Sequence, residues 1–477
     1  MPVTLPSGLH LLPTKAGNLI TGSHLHPQQV LEIQTCEDVE KRGTVDHYWT
    51  LENEGTQEFS GPLQVEKADT DRQVWDKFNE TIERREDGYY VRLPWKDNGL
   101  LLPDNKAIAL RRLVNTWNAL QRNPELPQRY NNVFEEQLRL KIVEDVPKQA
   151  KATGLVVHYI PHQAVLTPSK LTTKLRIVFD ASAHYKGSPS LNEVLHRGPV
   201  ILPPLFGILL RFRIGTIGII SDVEKAYLQV RLHESDRDAT RCLWLHDYEK
   251  PPTLENIRTL RFTRVTFGLN SSSFLLAATT HYHLNSYTND KMLVEEIKNN
   301  LYVDNLLLTA NSLEEARYKY KQVKQMFGDL SMNLREFVSN DSALLSNMAT
   351  ADKSKDRNPK VLGIRWNSTV DNFQLACTVE VEEPVTKRTV ASSVTSIYDP
   401  LGWITPLTHK AKVFIQSLWK ANYMWDEKLP ETRVNEWKDV VESIHGFRRD
   451  LPRMISERAD QQLLVAFADA SLEGMAT

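Results

Sequence analysis

The sequence predicts an α+β fold, an antiparallel sheet backed by helices in split βαβ order, and three stretches predict it. Ile217-Gly218-Ile219-Ile220 is a short apolar strand that ends on Ser221-Asp222. Leu301-Tyr302-Val303-Asp304-Asn305-Leu306-Leu307-Leu308-Thr309 sets a polar pair between two apolar triples. That pattern reads as two strands joined by a two-residue turn at Asp304-Asn305, because Asn tolerates the positive φ such turns require. From Ser312 to Phe327, a Ser312/Glu315 capping pair opens a stripe of Leu313, Ala316, Tyr320, Val323 and Phe327 at helical spacing. Between the strand and the hairpin, Asn270-Ser271-Ser272-Ser273 caps a helix carried by Phe274, Leu275 and Ala278. The order is strand, helix, hairpin, helix.

A chain of 477 residues exceeds one ordinary core, so two to four domains or subdomains are expected. Its 41% hydrophobic and 25% charged residues supply real cores. The formal net charge of −2 gives no general attraction for nucleic acid, so any basic surface is local. Cys36, Cys242 and Cys377 lie far apart, without the spacing of a disulfide framework or a zinc site. Val200 to Leu210 is broken by Pro203-Pro204 and closed by Arg211-Phe212-Arg213, well short of the roughly 20 residues a spanning helix needs. The N-terminus lacks a signal-peptide pattern, and an intracellular, cytoplasmic protein without a membrane partner is expected.

Taken in order, residues 1 to 30 are rich in Gly and Pro and too short for a core of their own. Val74, Phe78 and Ile82 step by four along one helix face, and Tyr89 to Trp95 reads as a strand stopped by Pro94. Asn105 to Leu120 and Tyr130 to Val143 form two packed amphipathic helices. Leu155 to Leu166 reads as a strand closing at Thr167-Pro168. From Lys170 to Arg213, Lys170, Lys174, Arg176, Lys186, Arg197, Arg211 and Arg213 face only Asp180 and Glu193. This is either a solvated face or a local phosphate-binding surface, and the strand Leu175 to Phe179, with cations beside an apolar pleat, suits the second.

Asp304 also carries two readings, a common turn residue or a metal ligand held at a rigid tip. In the split βαβ order, the strand ending at Asp222 and the hairpin at Asp304 are neighbours. Two carboxylates at adjacent strand ends are costly unless a cation neutralises them. Mg²⁺ takes oxygen ligands and keeps positions for water and phosphate, and two such ions ~4 Å apart stabilise both oxygens of an in-line phosphoryl transfer. Tyr227 shares that site only if the chain turns after Asp222.

Lys174-Leu175-Arg176-Ile177-Val178-Phe179-Asp180, Asp222 to Tyr227, Phe267-Gly268-Leu269, Tyr302-Val303-Asp304-Asn305 and Val361-Leu362-Gly363-Ile364 occur in the order of the blocks of retroelement reverse transcriptases, which the chain resembles. Leu11 to Lys15, Val91 to Lys96 and Tyr398-Asp399-Pro400-Leu401-Gly402 look like the BEL/Pao class of long-terminal-repeat retrotransposon polyproteins. The resemblance covers nearly the whole chain. It implies a right-hand polymerase of fingers, palm and thumb over 105–400, with the palm core at about 214–345. Residues 1–30 would be the end of a protease region, 31–104 a linker with short helices and strands, 401–460 a connection region, and 461–477 a truncated ribonuclease H-like start.

The same resemblance implies residue roles. Asp222 and Asp304 would bind Mg²⁺, or Mn²⁺, with Asn305 beside them in the catalytic motif. Lys174 and Arg176 would neutralise the triphosphate of a deoxynucleotide, and Tyr227 would exclude a ribose 2′-hydroxyl. Phe267 and Gly268 would shape the nucleotide pocket, and Leu362 and Gly363 would grip the primer end. Asp469, in the strand-like run from Leu463 to Ser471, would be the first ligand of a ribonuclease H site whose other ligands are missing, so no ribonuclease H activity is expected. The implied partners are an RNA or DNA template with its primer and deoxynucleoside triphosphates, in the cytoplasm or in retroelement particles. The common motif ends in two aspartates, and Asn305 in place of the second contributes no charge against a dication. The sequence therefore carries three functional expectations, a polymerase with retained or reduced activity, a relic that binds nucleic acid without chemistry, and a generic α/β interaction protein.

Overall fold

The computed structural model describes residues 62–147, 149, 151–166, 175–288 and 290–456, with strand segments at 3–4, 10–14, 17–21, 469–470 and 475–476. The chain divides into two units, Met1–Ala68 and Asp69–Thr477. In the first, β1 (Val3–Thr4), β2 (His10–Thr14) and β3 (Gly17–Thr21) form an antiparallel sheet in the order β1-β2-β3. Helix α1 (Pro62–Thr81) follows, and Val74 and Phe78 are buried one turn apart, as their spacing predicts.

The second unit continues with β4 (Glu83–Arg85), β5 (Gly88–Val91), α2 (Lys106–Leu120), α3 (Leu126–Arg139), β6 (Val143–Asp145), β7 (His162–Leu166), β8 (Leu175–Phe179) and α4 (Leu205–Arg211). Its centre holds β9 (Ile217–Val223), β10 (Arg231–Leu232), β11 (Arg241–Leu245), β12 (Ile257–Phe262), α5 (Ser272–Leu284), α6 (Lys291–Asn300), β13 (Leu301–Tyr302), β14 (Asn305–Ala310), α7 (Leu313–Asp329) and β15 (Leu334–Ser339). After these come α8 (Ser342–Ser346), β16 (Lys360–Val361), β17 (Ile364–Asn367), β18 (Asn372–Ala376), α9 (Lys387–Thr395), α10 (Thr405–Lys420), α11 (Glu431–Ile444), β19 (Arg448–Pro452), β20 (Asp469–Ala470) and β21 (Met475–Ala476). Among the described residues no helix is long and apolar enough to cross a membrane.

The central sheet runs β13-β14-β9-β15, all antiparallel. In chain order this is β9, helices, the β13–β14 hairpin, α7 and β15, the split βαβ arrangement expected from the sequence. Alternation along β9 sorts its side chains. Ile219 and Val223 are buried with Leu306, Leu308 and Phe327, while Ile220 joins Leu307, Val338, Phe212, Trp366 and Phe373 in a second apolar layer. Asp222, two residues beyond Ile220, stands on the side of that second layer. The sheet β16-β17-β18-β19 supplies Trp366 and Phe373, so it closes the face of the central sheet that bears Asp222. A third core unites α9, α10 and α11 through Val390, Phe414, Leu418, Trp437 and Val441.

Three local expectations are corrected. The strand expected over Leu155 to Leu166 is strand only at His162–Leu166. Upstream of it, the backbone bonds go to scattered loops, His158 N to Asp238 O at 3.0 Å and Tyr159 N to Asp104 O at 2.9 Å. The serines at the start of α5 do not cap it, because Ser272, its first residue, donates to Thr266 O at 2.6 Å and the hydroxyl of Ser271, at the N-cap, is buried without a partner. Arg211 and Arg213 leave the basic surface. Arg211 is bound to Asn300 Oδ1 at 2.8 Å, and Arg213 lies 4.9 Å over the Trp403 ring while donating to Arg453 O at 3.1 Å.

Candidate functional site

The site starts from the register of the central sheet. Asn305 on β14 and Arg335 on β15 both pair with Asp222 on β9, so the three residues form one row across the face. Val223 N donates to Asp304 O at 2.7 Å, which ties the hairpin tip to the end of β9. The structure therefore brings Asp222 and Asp304 together.

The turn itself is displaced by one residue from the sequence reading. Tyr302 pairs with Asn305, so the turn residues are Val303 and Asp304, and Asn305 is the first residue of β14. The positive φ falls on Val303, at 59°, and not on Asn305. A turn with positive φ at its first central residue favours glycine there, and a β-branched residue in that conformation stores roughly 1–3 kcal/mol. Packing holds it in place, since Val303 is half-buried against the main core. Asn305 donates its side-chain amide to Asp304 Oδ1 at 2.8 Å.

The electrostatics follow from this crowding. Burial, then the neighbouring charge of Asp304, pushes the Asp222 carboxyl up to about 6, with Glu336 and Glu224 adding to the effect and Arg335 opposing it. Burial also raises Asp304 above the ordinary carboxylate range. Arg335 is engaged with Glu224 at 2.9 Å, and Asn333 donates to the other oxygen of Glu224 at 3.1 Å. Glu224 is thus already paired, whereas at Asp222 and Asp304 the offsetting Arg335 charge and Asn305 amide leave both carboxyls raised. Among the described residues no three His, Cys, Asp or Glu side chains converge as a ready-made metal cluster. Two crowded oxygen donors of like charge nevertheless suit a hard dication.

The chain does turn after Asp222. Lys225 adopts φ 50° and a 3₁₀ turn over Ala226–Gln229 follows, which carries Tyr227 out of the line of β9. Its ring meets Phe267 edge-on at 5.0 Å, and its hydroxyl lies 3.2 Å from Ser273 Oγ. Phe267 is 46% exposed. Gly268, at φ 97°, passes so close to the end of β8 that a Cβ there would sit 2.1 Å from Phe179 O. Asn192 secures this crossing by donating to Gly268 O at 3.0 Å and accepting from Asn270 N at 2.9 Å. No pattern in the sequence marks Asn192, and none marks Arg335 or Glu336, whose positions depend on a bulge in β15.

Arg176 is exposed on β8, opposite Val165. Lys174 lies outside the described residues. Leu362 and Gly363 form the tip between β16 and β17, both with positive φ, 45° and 98°. Tyr398 clasps that tip, donating to Leu362 O at 2.7 Å, and a Cβ on Gly363 would meet its ring at 2.4 Å. Tyr302, beside the Val303–Asp304 turn, and Leu362 pack on the same apolar layer. Asp469 is in β20, paired with Ala476, and its side chain lies outside the described residues, as does the run Leu463 to Ala468.

Residues 201–337 match the family model described as reverse transcriptase (RNA-dependent DNA polymerase). Residues 386–477 match the one described as Pao retrotransposon-like RNaseH-like domain. Among solved structures the chain is similar to the foamy viral protease-reverse transcriptase dRH in complex with ds DNA, at 13% identity and a TM-score of 0.45, over 66% of this chain and 47% of that one. It is also similar to the foamy viral protease-reverse transcriptase in complex with RNA/DNA hybrid, at 12% identity and a TM-score of 0.44, over 68% of this chain and 37% of that one. The chain therefore spans less than half the length of either. No curated protein matches its sequence.

Proposed function

The chain belongs to the reverse transcriptase regions of BEL/Pao-class retrotransposons, and from that premise we propose that it is an RNA- and DNA-directed DNA polymerase extending a primer 3′ end. The observation that carries this reading is the bond from Val223 N to Asp304 O, which sets the Asp304 turn against the end of β9 that bears Asp222, with both carboxyls raised first by burial. Mg²⁺, or Mn²⁺, held by these two carboxylates would supply the charge that stabilises the attacking and leaving oxygens of nucleotidyl transfer. Asn305 keeps the Asp304 carboxylate in place through its amide.

The other roles follow from what each side chain touches. Tyr227, braced by Ser273 and Phe267, forms a rigid wall where a 2′-hydroxyl would collide, which selects deoxynucleotides. Gly268 lets the backbone close against β8, on which Arg176, with Lys174 before it in sequence, meets the triphosphate. Leu362 and Gly363, clasped by Tyr398, support the primer end. Template, primer and deoxynucleoside triphosphates are the substrates, and the cytoplasm, including retroelement particles, is the setting.

Extension of a primed RNA and a primed DNA template with Mg²⁺ or Mn²⁺, abolished by Asp222→Asn, tests the proposal. A folded chain that extends neither would overturn it. One observation favours a second reading, a binding protein with little or no chemistry: Asp222 is flanked in register by a neutral amide, Asn305, and a cation, Arg335. Salt-sensitive duplex binding that is unaffected by Asp222→Asn, with no extension, would select that reading.

A further inference from the structure

A dense polar knot lies at the end of the central sheet opposite Asp222. Arg453, just past β19, is fully buried. Its guanidinium donates to the Asp371 carboxylate at 2.7 and 2.9 Å, to Phe212 O at 2.7 Å, and to Gly215 O and Thr216 O at 3.0 Å each. Asp371 also accepts from Trp366 Nε1 at 2.9 Å and from Asn340 Nδ2 at 3.1 Å. Asn340 in turn donates to Thr216 O and accepts from Gly218 N, each at 2.8 Å. A side chain at position 218 would press on Arg453 Nε and the Phe212 ring, both at 3.1 Å, so glycine makes room for the guanidinium.

The location of the knot gives it a use. Thr216 and Gly218 are at the start of β9, and Asp222 is near its end, roughly 13–20 Å away at a strand's rise of about 3.3 Å per residue. Asp371 closes the turn between β17 and β18, at the opposite end of β17 from Leu362–Gly363. One knot therefore fastens the far ends of two strands whose near ends are Asp222 and the Leu362–Gly363 tip. Between the ends, Ile220, Phe212, Trp366 and Phe373 fill the space as one apolar layer.

We propose that Arg453 and Asp371 are positioning residues for nucleotidyl transfer, a pin that fixes the Leu362–Gly363 tip relative to Asp222. The proposal rests on the polymerase reading for its consequence, and on geometry alone for its mechanical part. The pin acts through two rigid strands and touches no substrate. A misplacement of the primer end by even 1 Å is enough to cost one to two orders of magnitude in rate.

Arg453→Met keeps most of the side-chain volume and removes the donors. In hydrogen–deuterium exchange, the variant is expected to exchange about tenfold faster at residues 360–363, at the end of β17 away from the knot. Leu418→Ala, in the separate α9–α11 core, serves as a control of lowered stability and should leave that tip protected. In single-turnover extension, Arg453→Met should lower the burst rate about tenfold while keeping the burst amplitude per folded molecule, and Arg453→Lys should recover part of the rate. Faster exchange confined to residues 212–218, 371 and 453, equal tip exposure in the Leu418→Ala control, or an unchanged burst rate would overturn the pin. If Arg453→Met does not fold, Asn340→Ala removes one arm of the knot, and unchanged tip protection in that variant refutes the proposal. A wild-type chain that extends no primer refutes the polymerase reading instead, and the exchange comparison still decides the pin.

Discussion

Asn305 donates its side-chain amide to the carboxylate of Asp304 at 2.8 Å, so the residue that adds no charge to the site also orients one of the two carboxylates proposed to hold the metal. Asn305→Asp replaces an attraction with a repulsion between adjacent carboxylates. Without divalent cation, the variant should lose about 1–2 kcal/mol of stability, the scale of a broken hydrogen bond plus an unpaired charge. With Mg²⁺ the third carboxylate should tighten metal binding and raise extension severalfold. Chemical denaturation with and without Mg²⁺, beside primer extension, measures both signs.

The raised carboxyl of Asp222 predicts a pH dependence of defined sign. Its folded value of about 6 exceeds the ordinary 3.8, so the folded state binds the proton more tightly than the unfolded state. That contribution to stability is fully present below about pH 4 and is lost as pH rises through about 6. Metal-free protein should therefore melt at a lower temperature at pH 7 than this group alone would allow at pH 4, and Asp222→Asn should raise the melting temperature at pH 7. Mg²⁺ should stabilise the wild type more as pH rises through 6, because the ligand must be ionised. Melting curves over pH 4 to 8, with and without Mg²⁺, read this out.

Gly268→Ala tests the crossing over β8. The added methyl would sit 2.1 Å from Phe179 O, on backbone that already has φ 97°. We expect a loss of about 2–4 kcal/mol, or extension falling at least tenfold if the backbone yields and carries Phe267 with it. Urea unfolding separates these outcomes, and a variant indistinguishable from wild type in both assays would remove Gly268 from the pocket.

Val303→Gly tests the strained turn. Removing a half-buried valine ordinarily costs several kcal/mol, but glycine accepts the positive φ that valine resists. The net cost should stay within about 1 kcal/mol, whereas Val223→Gly, at a fully buried position on β9, should cost at least twice as much. Denaturation midpoints of the two variants provide the comparison.

The split βαβ order and the approach of the Asp304 turn to the end of β9 were legible because both follow from short-range signals, the apolar strand ending in a carboxylate and the apolar hairpin. The turn was misplaced by one residue because Asn305 is a good turn former, and tertiary packing of Val303 overrode that local preference. The row Asn305–Asp222–Arg335 was not legible, since register across β15 depends on a bulge at Arg335–Val338 that no local pattern encodes. Arg453 likewise gave no signal. An arginine 82 residues from its carboxylate partner, Asp371, looks like any surface cation until the fold buries it, and Arg213, read as part of a basic surface, turned out to serve the same junction.

The strand β19 that brings Arg453 home also covers the outer edge of β18, pairing with it from Asn372 to Ala376. A chain cut before residue 448 would bare that edge, with its row of unsatisfied backbone donors and acceptors, and would open the cavity that Gly218 reserves for the guanidinium. Such a fragment would be prone to self-association through the naked strand. The segment matched to the RNaseH-like family thus supplies, through β19, one strand of a sheet whose other strands, β16 to β18, precede that match, so a cut at the border of the family match would split the sheet.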